Sequence, residues 1–170
     1  IWRALSPYIF TELTDLGAYQ MPAERRPRNE ALRENFAQRH IECFVFRNRE
    51  GEPIGWSNGE MQDSETYFMS WSGLLPAYQS KGYYKQFLSY LLPYLHEIGY
   101  ERVASKHMVN NRPILIAKLR AGFHITALEL DERWGAQVSL VYYFYEDRYL
   151  GFGEAFSLEP FKRPLTHITS

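Results

Sequence analysis

The stretch that most constrains the fold is PAYQSKGYYKQFLSYLLPYLHEIGY, starting at Pro76. An apolar, strand-like run, TYFMSWSGLL, leads straight into it. Beyond the turn, Tyr84, Leu88, Leu91, Leu95 and Ile98 recur at helical spacing and predict a helix with one buried face. Pro93 removes a backbone donor inside that helix and predicts a bend, and Gly99 ends it. The turn between strand and helix runs Gln79, Ser80, Lys81, Gly82, Tyr83, Tyr84. A turn of this kind points several backbone N–H groups at one spot, and the helix adds the positive end of its dipole. Lys81 supplies a cation, and Gly82 lets backbone approach a ligand closely. The turn therefore reads as a phosphate cradle or, more simply, as an ordinary strand–helix connection.

The flanking sequence predicts a single domain. Ser6 and Pro7 read as an N-cap and first turn of a helix that Gly17 ends. MPAERRPRN is a basic loop, and Asn29 caps a second helix, EALRENFAQR. IECFVFRN, PIGWSNGEMQ and TYFMSWSGLL form an antiparallel meander with turns at Gly51 and at Asp63–Glu65. After Gly99 come the strand ERVASKH, a short helix near Pro113, and two strands, FHITALEL and QVSLVYYFYE, turning at Arg133–Gly135. The parts are a helical region 1–40, a core 41–147 and a tail 148–170 that wraps the domain or a neighbouring subunit.

Composition narrows the function classes. The 170 residues suit one well-cored domain, and 45% hydrophobic content argues against disorder. A net charge of −1 gives no general attraction to nucleic acid or anionic membrane, and the abundant Tyr and Phe lack the interleaved basic residues of a base-stacking platform. Cys43, the only cysteine, rules out an internal disulfide and reads as a core residue in IECFVF, which favours a reducing, cytoplasmic setting. No apolar run spans a membrane, and the histidines show no metal-ligand spacing.

The order Gln79-x-x-Gly82-x-Tyr84 resembles the acyl-CoA pyrophosphate loop, Q/R-x-x-G-x-G/A, of GCN5-related N-acetyltransferases (GNAT), with Tyr84 in place of the family's small residue. ERVASKHMVNNRPILIAKLRAGFHI resembles the family's next unit, a strand, an Asn, a short helix and a closing Gly-Phe, with Asn111, Gly122 and Phe123 in place. The resemblance runs from Phe44 to Phe144 and is strongest from Leu74 to Phe123. It implies an α/β domain with a central mixed, mostly antiparallel sheet, helices on both faces, and two strands splayed at the acyl-CoA site. It implies acetyl-CoA as donor and a small-molecule or peptide amine as acceptor, attacked directly.

The resemblance also assigns residues. The loop Gln79–Tyr84 would hold the pyrophosphate. Backbone near Leu74 and Leu75 would pair with pantetheine amides and place one N–H on the thioester oxygen, with Gly73 allowing a bulge. Asn111 would bond the pantetheine arm, or cap the helix before Pro113. The family's tyrosine, four residues before the closing glycine, is Lys118 here: a group that stabilises or protonates the thiolate, a contact to CoA without chemistry, or a surface lysine. The places of the family's glutamate base fall at Phe68 and Lys106, neither acidic; His107 is the neighbouring candidate, or a satisfied core histidine, and Glu60 and Glu65 lie near strand ends. Without the family's Tyr and Glu, the alternative is a degenerate acyl-CoA sensor or scaffold of the same fold. A homodimer is expected, with VYYFYE and the tail as contact surfaces.

Overall fold

The computed structural model describes residues 2–9, 23 and 40–156. Six strands form one sheet: β1 (Ile41–Arg47), β2 (Pro53–Met61), β3 (Thr66–Leu74), β4 (Arg102–Met108), β5 (His124–Asp131) and β6 (Gly135–Tyr143). The order is β1-β2-β3-β4-β6-β5, with β3 and β4 the parallel pair and every other pair antiparallel. The helices are α1 (Trp2–Ile9), α2 (Tyr83–Glu97), α3 (Arg112–Arg120) and α4 (Glu146–Ala155). The predicted class holds, and the last helix, Glu146–Ala155, runs across the expected boundary between core and tail at 147. The basic loop at Arg25–Arg28 and the helix capped by Asn29 lie outside the described residues.

The sheet's alternation sorts its two faces. Tyr67, Met69, Val103, Leu140 and Tyr142 project to one face and make a single core with Leu88, Leu91, Leu92 and Leu95 of α2, and with Phe123 just beyond α3. Leu95 and Val103 are fully buried. On the opposite face α4 packs Tyr149 and Phe152 against His124, at ring-centroid separations of 4.4 and 5.0 Å. α1 lies on that face too: a Cβ on Gly73 would stand 2.3 Å from Ile9 Cγ2. Glycine at 73 thus leaves room for α1, and the bulge expected there occurs at Ser70, which is skipped where Asn58↔Trp71 is followed by Gly59↔Met69.

Other expectations are corrected by packing. α1 begins at Trp2, so Ser6 and Pro7 lie inside it rather than at its start, and Ile9 at its end meets the sheet at Gly73. Ile98 ends α2 at 47% exposure, since the helix has passed the edge of its core by then. Cys43 is exposed: among the described residues β1 is the edge of the sheet and Cys43 faces away from α2, whereas Phe44 faces Phe87. Within the segment VYYFYE, Tyr142 and Phe144 are buried in the core, whereas Tyr145 is 47% exposed. The tail from Leu150 starts inside α4.

The close approach of β2 to β3 gives a stability test. A Cβ on Gly55 would lie 2.3 Å from the Gly73 carbonyl oxygen, a backbone atom that cannot step aside alone. Gly55→Ala should cost about 3 kcal/mol or more by urea unfolding. Gly151→Ala, in a helix with nothing within 4 Å of the new methyl, should stabilise by about 0.5–1 kcal/mol. Equal midpoints for the two variants would show that the strands tolerate separation there.

Candidate functional site

The parallel pair β3/β4 sets the site. Their register runs Thr66↔Arg102 to Met69↔Ser105 and stops. Beyond it β3 continues to Leu74 beside β2 alone, and β4 continues to Met108 beside β6 alone. The bulge at Ser70 turns β3 away at the point where pairing ends. The result is a fork with two facing strand edges that have no ladder partner on that side among the described residues, the arrangement that accepts an extended ligand as an added strand.

Backbone geometry refines which groups face the fork. Leu75 N–H donates to the Ile54 carbonyl at 2.8 Å, so it points to β2 and is not free for a ligand. Alternation along the strand turns the N–H of Leu74 and of Ser72 toward the fork. The Leu74 carbonyl accepts from Gln79 Nε2 at 2.9 Å. Gln79 therefore ties the loop to the strand end, and its side chain fixes where the turn begins.

The loop is shaped as a cradle. A single 3₁₀ turn, Pro76–Tyr78, precedes it. Ser80 (φ 58°) and Gly82 (φ 85°) both take left-handed backbone and bracket Lys81. Consecutive N–H groups converge in such turns, and α2 begins directly after Gly82 with no side-chain cap. A left-handed serine is a small backbone cost retained at a position where the turn demands it. Lys81 Nζ stands 5.7 Å from the Tyr78 ring centre, and Tyr83 is exposed beside it. Tyr84 points the other way, under α2, where its ring packs against Phe87. Its hydroxyl is buried with no hydrogen-bond partner, and burial pushes the phenol above its ordinary range, against a smaller opposing effect of the Ser72 hydroxyl.

The far end of the fork is closed by α3. Lys118 is fully buried. Its Nζ donates to Met69 Sδ at 3.2 Å and lies 4.5 Å from the Phe123 ring centre. Met69 is the last β3 residue paired to β4, so the amine marks the vertex. Burial holds its pKa well below the ordinary lysine value. The surface reading of Lys118 is therefore wrong. His107, two residues beyond Ser105 on the same face of β4, has a buried Nε2 without a partner, as has Ser105 Oγ. Burial first, and then the nearby Lys118, push His107 down to about 3. Asn111 is exposed at the start of α3 and makes no side-chain cap, which removes the capping alternative.

Burial of His107 has a measurable consequence. The unfolded imidazole binds a proton below about 6.5 that the folded one refuses down to about 3. Stability should therefore fall with pH through that window, by on the order of 3 kcal/mol once partial exposure is allowed for. His107→Gln should flatten this acid limb in denaturant titrations at pH 4 and 7. An unchanged slope would show that the imidazole is solvated.

On the opposite face, a cleft of about 250 Å³ adjoins the fork, lined by Phe68, Ala104, Lys106, Thr126, Glu129 and Ser139. Lys106 Nζ meets Glu129 Oε2 at 2.5 Å, and Ser139 Oγ donates to Glu129 Oε1 at 2.7 Å. Both bonds hold the Glu129 carboxyl below its ordinary range. The carboxylate that the sequence lacks at position 106 is thus delivered beside it from β5. The pairings β4/β6 and β5/β6 bring the two together, and only the even spacing along β5 hinted at it.

The site's residues thus converge on one fork: the loop Gln79–Tyr84 at its mouth, Leu74 along one arm, Ser105 and His107 along the other, Lys118 at the vertex. A family model described as the acetyltransferase (GNAT) family matches residues 10–123. The chain belongs to the GNAT acetyltransferase family. No curated protein matches the chain. Among solved structures, a GNAT family acetyltransferase from Elizabethkingia anophelis with acetyl-CoA bound is similar at 14% identity over 75% of this chain and 93% of that one, with a TM-score of 0.57. A Bacillus subtilis acetyltransferase in complex with CoA is similar at 15% identity over 75% and 96%, with the same TM-score of 0.57. A spermidine N-acetyltransferase variant from Vibrio cholerae is similar at 15% over 80% and 85%, TM-score 0.57. These likenesses establish the GNAT fold. Among the described residues no helix is long and apolar enough to cross a membrane, and no group of three or more His, Cys, Asp or Glu is placed to hold a metal.

Proposed function

We propose that this GNAT protein transfers an acetyl group from acetyl-CoA to a primary amine by direct attack. The observation that carries this reading is the fork itself, where β3 and β4 part after Met69↔Ser105 between an uncapped helix start and a buried amine. The N–H groups around Gly82 and the start of α2 suit the pyrophosphate, with Lys81 adjacent. The Leu74 N–H suits the thioester oxygen. Three buried polar atoms without partners, Tyr84 Oη, Ser105 Oγ and His107 Nε2, lie on the face of the sheet that α2 and α3 cover. Pantetheine carries amides, a hydroxyl and a sulfur that can satisfy them, and an unsatisfied buried group otherwise costs about 1–3 kcal/mol. Asn111, exposed at the mouth, suits the outer part of the same arm.

Lys118 carries the proton in this reading. Burial lowers its pKa and so favours the neutral amine more than at an exposed lysine. It can take the proton lost by the attacking ammonium and return it to the departing thiolate, so one group serves as base and then acid. The amine already donates to a sulfur, that of Met69. His107, held neutral, suits hydrogen bonding within this path better than acting as the base alone. The acceptor approaches from the opposite face, through the cleft between Phe68 and Glu129, where Glu129 can hold an ammonium and Lys106 disfavours a polycation.

The test is thiol release from acetyl-CoA across a panel of amines. Release that rises with at least one amine supports the transferase. Tight acetyl-CoA binding with no amine-dependent release would favour the second reading, a binder of the same fold that lacks the family's Tyr and Glu.

A further inference from the structure

A buried structural lysine ordinarily meets a carboxylate or several carbonyls. Lys118 meets a thioether at 3.2 Å and the face of Phe123 at 4.5 Å. It stands at the vertex of the fork, against the last β3 residue paired to β4. Ser105 Oγ and His107 Nε2, both without partners, share its side of the sheet. We propose that Lys118 is a self-acylation site, whose amine takes the acyl group of an acyl-CoA thioester held in the fork. This rests on the fork being the acyl-CoA site.

The step balances without a further reagent. The Nζ lone pair attacks the thioester carbonyl carbon, an N–C bond forms, and the C–S bond breaks with its electron pair on sulfur. One Nζ proton passes to that thiolate, directly or through His107, giving the CoA thiol and an acyl-lysine. A desolvated lysine in an apolar pocket is a nucleophile of this kind. The product amide is uncharged, so it suits the buried position better than an ammonium does. The new group occupies the room that the donor's acyl group held. An amide does not return its acyl group to an amine, so the modification is an end state that removes the proton carrier from the site. Lys118 would record exposure to acyl-CoA when no acceptor is present.

The experiment incubates the protein with acetyl-CoA and no amine. Intact mass and peptide mapping are read over time, with acetyl-CoA binding measured by calorimetry on the same sample. The expected result is one acetyl group per chain at Lys118, ahead of the exposed Lys81, Lys85 and Lys106. Labelling should vanish in Lys118→Met and in protein unfolded by urea. It should slow in Gly82→Val at subsaturating donor by the same factor as binding weakens, a check that does not depend on the Met variant folding. Normal acetyl-CoA binding with an unmodified Lys118 peptide overturns the proposal and leaves the fork reading standing. So does labelling of Lys118 no faster than that of Lys85. Absence of acetyl-CoA binding overturns both.

Discussion

Lys118→Met lowers the turnover number by about 10²–10⁴, the usual range for a proton-transfer group, with little change in acetyl-CoA affinity. Met keeps most of the side-chain length and fits beside Met69 and Phe123, so the fold survives. Stability separates this outcome from structural damage. The unfolded chain protonates Lys118 below 10.5, whereas the folded chain resists doing so. The native state therefore carries a penalty that is largest at low pH and disappears as pH rises to 10.5. The Met variant escapes it, so it should be at least as stable as the parent at pH 7, with the gap closing toward pH 10. Lys118→Tyr should recover part of the rate, since a phenol can supply the same proton. Full activity of the Met variant at saturating donor would remove Lys118 from the chemistry. Lost activity together with lost stability would make it a packing residue.

Gly82→Val should weaken acetyl-CoA binding by about 10- to 30-fold while circular dichroism stays unchanged. The reason is conformational rather than steric: a Cβ at 82 would meet nothing within 4 Å, but φ is 85°. Holding a side-chain-bearing residue in left-handed backbone costs about 1–2 kcal/mol, more when it is β-branched, and 1.4 kcal/mol is tenfold in affinity. The chain relieves that strain by reshaping the loop, which scatters the N–H groups between Ser80 and Tyr84. Gly51, also at positive φ and also open, lies in the β1–β2 turn, outside the loop Gln79–Tyr84 although Asn48 of that turn bonds Tyr78. Gly51→Val should carry similar strain without the loss of affinity. Unchanged affinity in a folded Gly82→Val variant would mean that the loop holds no phosphate.

Much of this site was legible along the chain, for local reasons. The meander, the glycine turn and α2 follow from alternation, turn chemistry and helical spacing, which neighbouring residues decide among themselves. The family resemblance located the fork between the correct strands. What escaped depends on distant partners. Lys118 follows Ile114 and Leu115 by four and three residues, so helical spacing already set it beside an apolar stripe, yet its charge argued for solvent. The packing of α3 on Met69 settled the matter. The Glu129–Lys106 pair needs two strand registers at once. The bulge fell at Ser70 rather than at a glycine, because the divergence of β3 from β4 demands it there. Two glycines in EDRYLGFGEA argue against a helix, yet α4 forms because Tyr149 and Phe152 bury against His124.

The reading of the fork is tested most directly by calorimetric titration of acetyl-CoA into the protein, with ATP and NAD titrated under the same conditions. All three ligands carry phosphates, but only acetyl-CoA has a pantetheine arm to lie between β3 and β4 and satisfy Tyr84, Ser105 and His107. The account predicts one-to-one binding of acetyl-CoA, at least about tenfold tighter than ATP or NAD. Equal affinity for the three, or preference for either nucleotide, would contradict it.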